Sequence, residues 1–229
     1  MSDDTLAART STSAGTAPAG TAPDGPAPRT GPGRSGLRLS ARDLMNVAIF
    51  AVIYFVVVYA VAMLGVISPL VMLLTLPLAI VVAGIPYLLF LTRVKHPGVV
   101  TLFGVVVGLL YLVMGQPWIS TLLTVVVSVL ADLVLRAGRY RSRWAAIWAY
   151  TVFSIWFAGP LLPLLMNRAE YLASPGMAAM GQDYVDSFDQ VFTVGALWAY
   201  NGATVVCGVL GGLLGTLLLK KHFTRAGLA

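Results

Sequence analysis

The chain of 229 residues is 58% hydrophobic and only 10% charged, a composition that excludes an ordinary soluble globular domain. Its mean hydropathy of +0.85 and its repeated apolar runs of about 20 residues predict a polytopic helical membrane protein. The formal net charge of +6 does not indicate nucleic-acid binding, because the basic residues lie between apolar runs and are not interleaved with aromatic residues.

Residues 1–36 precede the first apolar run and differ from the rest in composition. The stretch TSTSAGTAPAGTAPDGPAPRTGPGRSG consists mainly of threonine, alanine, proline and glycine. Such a sequence cannot bury enough apolar surface to offset its conformational entropy, so we expect a disordered cytoplasmic tail. It also lacks the apolar stretch of about 7 to 15 residues that a secretory signal requires.

The apolar runs predict six transmembrane helices, which together form one domain over residues 37–229. Ser40 and Asp43 form a capping-box pattern at the start of the first helix. Pro77 and Pro86 lie inside the second, where packing against neighbouring helices makes them tolerable. The helices are expected at about residues 42–65, 70–91, 98–115, 117–136, 144–166 and 194–219.

Basic residues occupy every second connection between the predicted helices. They are Arg34, Arg38 and Arg42 before the first helix, Arg93 and Lys95 after the second, Arg136, Arg139, Arg141 and Arg143 after the fourth, and Lys220, Lys221 and Arg225 at the end. The alternate connections contain a single base, Arg168, within a polar and acidic loop at about 167–188. Because loops rich in Lys and Arg stay in the cytoplasm, we expect a plasma-membrane protein with both termini inside and that loop outside.

Catalysis within a membrane requires converging titratable groups, and the predicted helices contain almost none. No HExxH, GxSxG or Walker A motif is present, and His96 and His222 lie outside the helix cores. Asp132 is the single acid inside an apolar run, and Arg136 is expected to pair with it one helical turn later. Cys207 has no cysteine partner and is expected to be a packing residue. We therefore expect no enzyme, and no metal or cofactor in this chain.

Polar and aromatic residues near the predicted outer face are the candidates for substrate binding. They are Tyr111, Gln116, Trp118, Trp156, Asn167, Trp198 and Asn201. A pocket that combines ring stacking with hydrogen bonding is one interpretation, and an interfacial aromatic belt is the alternative for the Trp and Tyr residues. Asn201 lies one turn after Trp198 on the same helical face, where it suits either a ligand contact or a hydrogen bond between helices.

Small residues form two further patterns. In the last helix, Gly208 with Gly212 and Gly211 with Gly215 are overlapping GxxxG pairs, which predict close packing within the bundle. In the first helix, Ala48 and Ala51 interrupt a surface of Val, Ile and Phe. A partner helix could dock at these two alanines.

Residues 37–229 resemble a known family through LSARDLMNVAIFAVIYFVVVY at the first helix, TLPLAIVVAGIPYLLFLTRV at the second, the break VKHPG, and LVMGQPW before the fourth helix. These features are similar to those of the substrate-binding S components of energy-coupling factor (ECF) transporters, of the MptD or Trep-Strep type. The resemblance implies a six-helix bundle that captures a micronutrient outside the cell. It also implies partners, namely a transmembrane coupling (T) protein and two cytoplasmic ATPases that hydrolyse ATP.

The resemblance also suggests a role for the small residues of the first helix. S components commonly carry an AxxxA pair there for contact with the coupling protein, but here Val52 follows Ala48 and Val47 precedes Ala51 at that spacing. The two alanines are thus a degenerate version of the pair, and the coupling-protein interface is expected there.

Two other functions are alternatives: a membrane permease partner or assembly subunit without a small-molecule site, and an intramembrane hydrolase. The lack of buried acids, histidines or an activated serine argues against the hydrolase. For an S component, aromatic candidates without fixed charge suit a vitamin, a tetrapyrrole or a metal chelate. A bare divalent metal would require His or carboxylate ligands.

Overall fold

The computed structural model describes the backbone of residues 40–93 and 96–225, and it describes side chains as far as Lys220. These residues form helices and turns, and they contain no β-strand. The predicted tail over residues 1–36 lies outside the described residues, as does Lys95. The described chain is therefore all-helical, which confirms the all-α part of the expected fold class.

The helices follow the predicted apolar runs closely. In chain order they are α1 (Ala41–Ala62, extended by a 3-10 turn over Met63–Ile67), α2 (Pro69–Arg93), α3 (Val99–Val113), α4 (Trp118–Ala137), α5 (Arg143–Ser154, continued by a 3-10 segment over Ile155–Leu161), α6 (Leu162–Met166), α7 (Arg168–Leu172), α8 (Pro175–Ala178), α9 (Gln182–Val191) and α10 (Val194–Arg225). The predicted capping box is present, since Ser40 N donates to Asp43 Oδ2 at 3.1 Å and Arg42 N donates to Ser40 Oγ at 3.1 Å.

Five segments of the described chain are long and apolar enough to cross a membrane. They are Ala41–Ile67, Pro69–Arg93, Trp118–Ala137, Arg143–Met166 and Val194–Lys220. The third predicted span forms the shorter apolar helix α3 of 15 residues, because the chain turns at Gly115 with φ of +89°. The protein is thus a multi-pass membrane protein, and a sixth crossing by α3 stays a prediction.

The long helices bring most of the described basic residues to one end of the bundle and most of the described acidic residues to the other. At one end, Gly98 N donates to Asp132 Oδ2 at 2.9 Å and joins the α2–α3 connection to α4. We call this the basic end, and its described basic residues are Arg42, Arg93, Arg136, Arg139, Arg141, Arg143 and Lys220. At the other, Tyr184 of α9 donates to Gly65 O of the α1–α2 connection at 3.2 Å. We call this the acidic end, and its acids are Glu170, Asp183, Asp186 and Asp189.

Close backbone contacts hold α10 against its neighbours. Gly84 of α2 lies so near Gly211 that a Cβ atom on either residue would overlap the other helix. Gly208 faces Thr151 and Ser154 of α5 in the same way. Both GxxxG pairs therefore pack inside the bundle, as predicted.

Aromatic rings fill the centre of the bundle. The rings of Tyr54, Tyr87, Phe90, Phe103, Tyr150 and Phe153 are fully buried. Tyr150 donates its hydroxyl hydrogen to Ile80 O, which ties α5 to α2. The half-buried Cys207 packs against this core, in keeping with its predicted packing role. A rigid core of this kind supports a site at one end of the bundle.

Candidate ligand-binding site

The chain between α6 and α10 forms a cover over the acidic end. We call residues 168–191, which contain α7, α8 and α9, the cover segment. Arg168 fastens its start to its end: Nε donates to Asp189 Oδ1 at 2.5 Å, Nη2 to Asp189 O at 2.6 Å, and Nη1 to Phe192 O at 2.8 Å. Three bonds from one guanidinium hold the segment as a closed loop.

The cover segment is amphipathic. Its carboxylates at Asp183 and Asp186 are exposed, while Phe188 is buried and stacks on Phe192 with ring centroids 4.2 Å apart. Burial raises the pKa of Tyr184 above its ordinary value and so favours the uncharged phenol. The segment therefore presents charge to the outside and uncharged rings to the bundle.

A partly open space of about 250 Å³ lies between the cover segment and the bundle. We call it the inner cavity. Its aromatic lining residues are Tyr111, Trp156, Phe157, Tyr171, Tyr184 and Phe188, and its methionines are Met63, Met72, Met177 and Met180. Gln116 also lines it, and none of its lining residues carries a charge. The inner cavity is thus apolar with a few hydrogen-bonding groups, as is typical of small-molecule sites.

A larger and more open space of about 760 Å³ adjoins the inner cavity on its outer side. We call it the outer groove. The two spaces share Gln116, Pro160, Tyr171 and Met177 as lining residues. The outer groove adds polar groups at Asn167, Glu170 and Ser174. The outer groove therefore carries more polar groups than the inner cavity that it adjoins.

The hydrogen-bonding groups of the inner cavity differ in whether they are already used. Trp156 Nε1 donates to Tyr54 Oη at 2.9 Å, and the Trp156 ring lies 4.7 Å from that of Tyr111. Tyr111 is only 8% exposed, yet its hydroxyl has no partner among the described residues. Tyr87 is the other buried hydroxyl in that condition within the described chain, and it lines neither space. Tyr111 therefore contributes to the lining of the inner cavity a buried hydroxyl without a partner among the described residues.

The structure brings together five of the seven predicted binding residues. Tyr111, Gln116 and Trp156 line the inner cavity. Gln116, Trp118 and Asn167 line the outer groove, where Asn167 Nδ2 donates to Glu170 Oε2 at 2.8 Å. Trp118 is 70% exposed, so its position also suits the aromatic belt.

The remaining two predicted residues lie apart from this site. Trp198 is 69% exposed on α10 and lines neither space. Asn201 Nδ2 donates to Leu197 O of its own helix at 2.8 Å, and it also lines neither space. Their role in binding stays a prediction that these positions do not favour.

The methionines of the inner cavity and the rings of the cover segment were not predicted from the sequence. The signal for the rings was the spacing of Tyr184, Phe188 and Phe192, which recur every four residues between acidic ones. The methionines carry no such signal, because Met63 and Met72 are more than 100 residues from Met177 and Met180. Only the fold brings them together.

The two alanines of α1 lie on different sides of the helix. Ala51 is fully buried within the bundle, whereas Ala48 is exposed beside Ile49 and Val52. A partner that docks on the outer surface of α1 can therefore touch Ala48 but not Ala51.

Asp132 at the basic end is a saturated structural group. It is 3% exposed and accepts hydrogen bonds from Gly98 N at 2.9 Å and from Tyr140 Oη at 3.1 Å. The predicted ion pair is present, with Arg136 Nε 3.3 Å from Asp132 Oδ2. Within the described residues, no three or more His, Cys, Asp or Glu side chains form a group that could hold a metal ion.

Comparison with known families gives one match over most of the chain. A family profile described as a hypothetical bacterial integral membrane protein (Trep_Strep) matches residues 41–225. The chain belongs to the Trep_Strep family. The match includes all helices from α1 to α10, so the cover segment and both spaces lie within the Trep_Strep region. No curated protein and no solved structure matches the chain.

Proposed function

We propose that this Trep_Strep protein is the substrate-binding S component of an ECF-type importer in the plasma membrane. It captures a small micronutrient outside the cell and delivers it through a coupling protein driven by two ATPases. The observation that carries the proposal is the inner cavity, which is uncharged, covered by residues 168–191, and equipped with the unpartnered hydroxyl of Tyr111. An assembly subunit without a ligand would not need such a space.

The proposed topology has six crossings with both termini in the cytoplasm. Its support is the concentration of described Lys and Arg residues at one end and of acids at the other. In this arrangement α3 is the sixth crossing and spans roughly 22 Å, somewhat less than a typical bilayer core. Gln116 lies in the turn after α3 and lines both spaces, so the end of this short helix contributes a residue to the site.

The proposed contact with the coupling protein is the exposed face of α1 around Ala48. Met45, Ala48 and Val52 recur at helical spacing, and all are exposed in the isolated chain. Ala48 is the smallest of them and lets a partner helix approach closely. In this proposal Ala51 does not touch the partner, because it packs α1 against its own bundle.

Copurification tests the function directly. The full chain, tagged and extracted from native membranes in mild detergent, is expected to carry a polytopic coupling protein and two ATPases. Ala48→Trp should reduce the yield of this complex at least fivefold, while Ala60→Trp, on the exposed side of the same helix, should not. A chain that purifies without ATPases, and whose host retains ATP-dependent uptake of each tested vitamin after its removal, would contradict the proposal.

A further inference from the structure

We propose that the inner cavity binds a compact, uncharged ring compound that offers a hydrogen-bond acceptor to the hydroxyl of Tyr111. The inference deepens the proposed role as a substrate-binding component and rests on it, because it names the class of molecule that is captured. Three properties of the inner cavity carry it: unused hydrogen-bonding capacity, absence of charge, and size.

The hydroxyl of Tyr111 can donate a hydrogen bond, so the ligand should offer an acceptor. Trp156 and Tyr184 already donate their hydrogens, to Tyr54 Oη and to Gly65 O. The hydroxyl of Tyr111 is buried without a partner, and leaving such a group unsatisfied is unfavourable. A carbonyl oxygen or an aromatic ring nitrogen would accept its hydrogen. The carboxamide of Gln116 makes no side-chain hydrogen bond to another described residue, so it offers a second contact.

The absence of charge excludes an ionised group from the interior. Among the residues that the structure describes, no Asp, Glu, His, Lys or Arg side chain lines the inner cavity. An ionised ligand group would lose its hydration there without gaining an opposite charge. Glu170 lines only the outer groove, so a positively charged substituent can be accommodated there. Phosphorylated compounds and bare divalent metal ions are poor candidates for the interior.

The size of the inner cavity favours a small ring system. Its volume of about 250 Å³ lies below the range of about 300 to 1,000 Å³ that holds drug-sized ligands. A monocyclic or bicyclic ring fits this space, whereas a tetrapyrrole macrocycle does not. The adjoining outer groove of about 760 Å³ has room for a polar substituent that extends past Gln116.

The side chains around the cavity suit a flat ring. Trp156 contributes an aromatic ring to the lining, and methionine thioethers adapt to aromatic surfaces. Thioethers can also bind a soft cation such as Cu(I). A bare cation, however, offers no acceptor to Tyr111 and makes no use of the ring face. The same lining therefore favours the ring compound over the metal ion.

Three bicyclic probes separate these properties. Quinoxaline is uncharged and has ring-nitrogen acceptors, indole donates a hydrogen but has no comparable acceptor, and N-methylquinolinium is permanently charged. Each probe is titrated calorimetrically into the purified full chain in lipid nanodiscs, with empty nanodiscs as the control for partitioning into lipid. We expect saturable binding of quinoxaline about tenfold tighter than that of either other probe.

Removal of one oxygen atom tests the role of Tyr111. Tyr111→Phe should weaken quinoxaline binding about tenfold and change indole binding by less than about twofold. The control Tyr59→Phe, which lies outside both spaces, should change neither. The inference is overturned by equal affinity for the three probes, by tightest binding of the charged probe, by quinoxaline binding that ignores Tyr111→Phe, or by the absence of saturable binding.

A matched pair of substitutions tests the place of binding. Ala62→Phe fills the inner cavity, whereas Ala60→Phe adds the same ring to the exposed face of α1. Only Ala62→Phe should abolish quinoxaline binding, and binding that persists would move the ligand elsewhere. If the probes behave as expected but no coupling protein copurifies, the ligand class stands and the transporter role fails. If the complex forms but the probes fail, the reverse holds.

Discussion

The two ends of the bundle differ in whether their buried polar groups have hydrogen-bond partners. At the basic end, the carboxylate of Asp132 accepts from Gly98 N and Tyr140 Oη and lies beside Arg136, so its hydrogen-bonding capacity is used. At the acidic end, the hydroxyl of Tyr111 is buried without a partner among the described residues, and Tyr111 lines the inner cavity. Saturated polar groups hold a structure together, while unsaturated ones beside a cavity are available to a ligand.

This difference assigns stability to one end and binding to the other. Asp132 connects two loops that would otherwise be held only by their helices, since Gly98 lies before α3 and Tyr140 lies after α4. The cover segment, in contrast, is fastened mainly by Arg168 and by contacts of aromatic rings. Substitutions at the two ends should therefore change different measurements.

The largest expected effect concerns which end faces the outside of the cell. With Cys207→Ala as background, Ser187→Cys places a thiol on the exposed side of the cover segment, and Ser142→Cys places one at the basic end. A membrane-impermeant maleimide added to intact cells should label the first variant at least about tenfold more than the second. Labelling with the opposite preference would put the inner cavity on the cytosolic side and contradict an importer.

The next largest effect is expected on stability at the basic end. Asp132→Ala leaves Gly98 N and Tyr140 Oη without their acceptor, which should lower the free energy of unfolding by about 2 to 4 kcal/mol. The measurement is thermal unfolding of the full chain in detergent. Asp132→Asn keeps one acceptor oxygen and should lose less, and the control Asp186→Ala on the exposed cover segment should leave the midpoint nearly unchanged.

Asp132→Ala also tests whether stability at the basic end and binding at the acidic end are independent. Below its unfolding temperature, the variant should bind quinoxaline as tightly as the unsubstituted chain, because Asp132 lines neither space. A loss of binding equal to that of Tyr111→Phe would show that the ends are coupled.

A smaller effect is expected from the cover segment. Arg168→Gln removes the hydrogen bonds to Asp189 and Phe192 and should cost about 1 to 2 kcal/mol in the local stability of residues 182–191. Hydrogen exchange of these amides should accelerate about fivefold to thirtyfold, with weaker quinoxaline binding and an almost unchanged unfolding midpoint. Arg141→Gln at the basic end is the control and should change neither exchange nor binding. Unchanged exchange in Arg168→Gln would contradict the fastening role.

The features that could be predicted from the sequence are local. Hydropathy located the long helices, and the presence of Lys and Arg in every second connection distinguished the two ends. Both signals depend only on neighbouring residues. The capping box at Ser40 and the GxxxG pairs of α10 were likewise local patterns with one common structural outcome. The exception was α3, where the positive φ of Gly115 ended the helix before the apolar run did.

The inner cavity could be predicted only in part, because its lining depends on which way each helix faces. Trp156 and Trp198 both lie in apolar runs near the acidic end, yet the first is buried at the cavity and the second lies outside. A membrane helix is apolar on all sides, so its hydrophobic pattern does not reveal its inner face. For the same reason, the sequence does not reveal that Ala51 is buried while Ala48 is exposed.

The substitutions with the smallest expected effect test directly which side chains face the inner cavity. Trp198→Ala and Asn201→Ala remove the two predicted binding residues that line neither space, and both should bind quinoxaline within about twofold of the unsubstituted chain. Trp156→Ala, the matched truncation inside the cavity, should lose about tenfold or more because the ring face and its packing disappear. A loss of affinity in Trp198→Ala comparable to that in Trp156→Ala would mean that α10 turns its aromatic face inward when ligand binds.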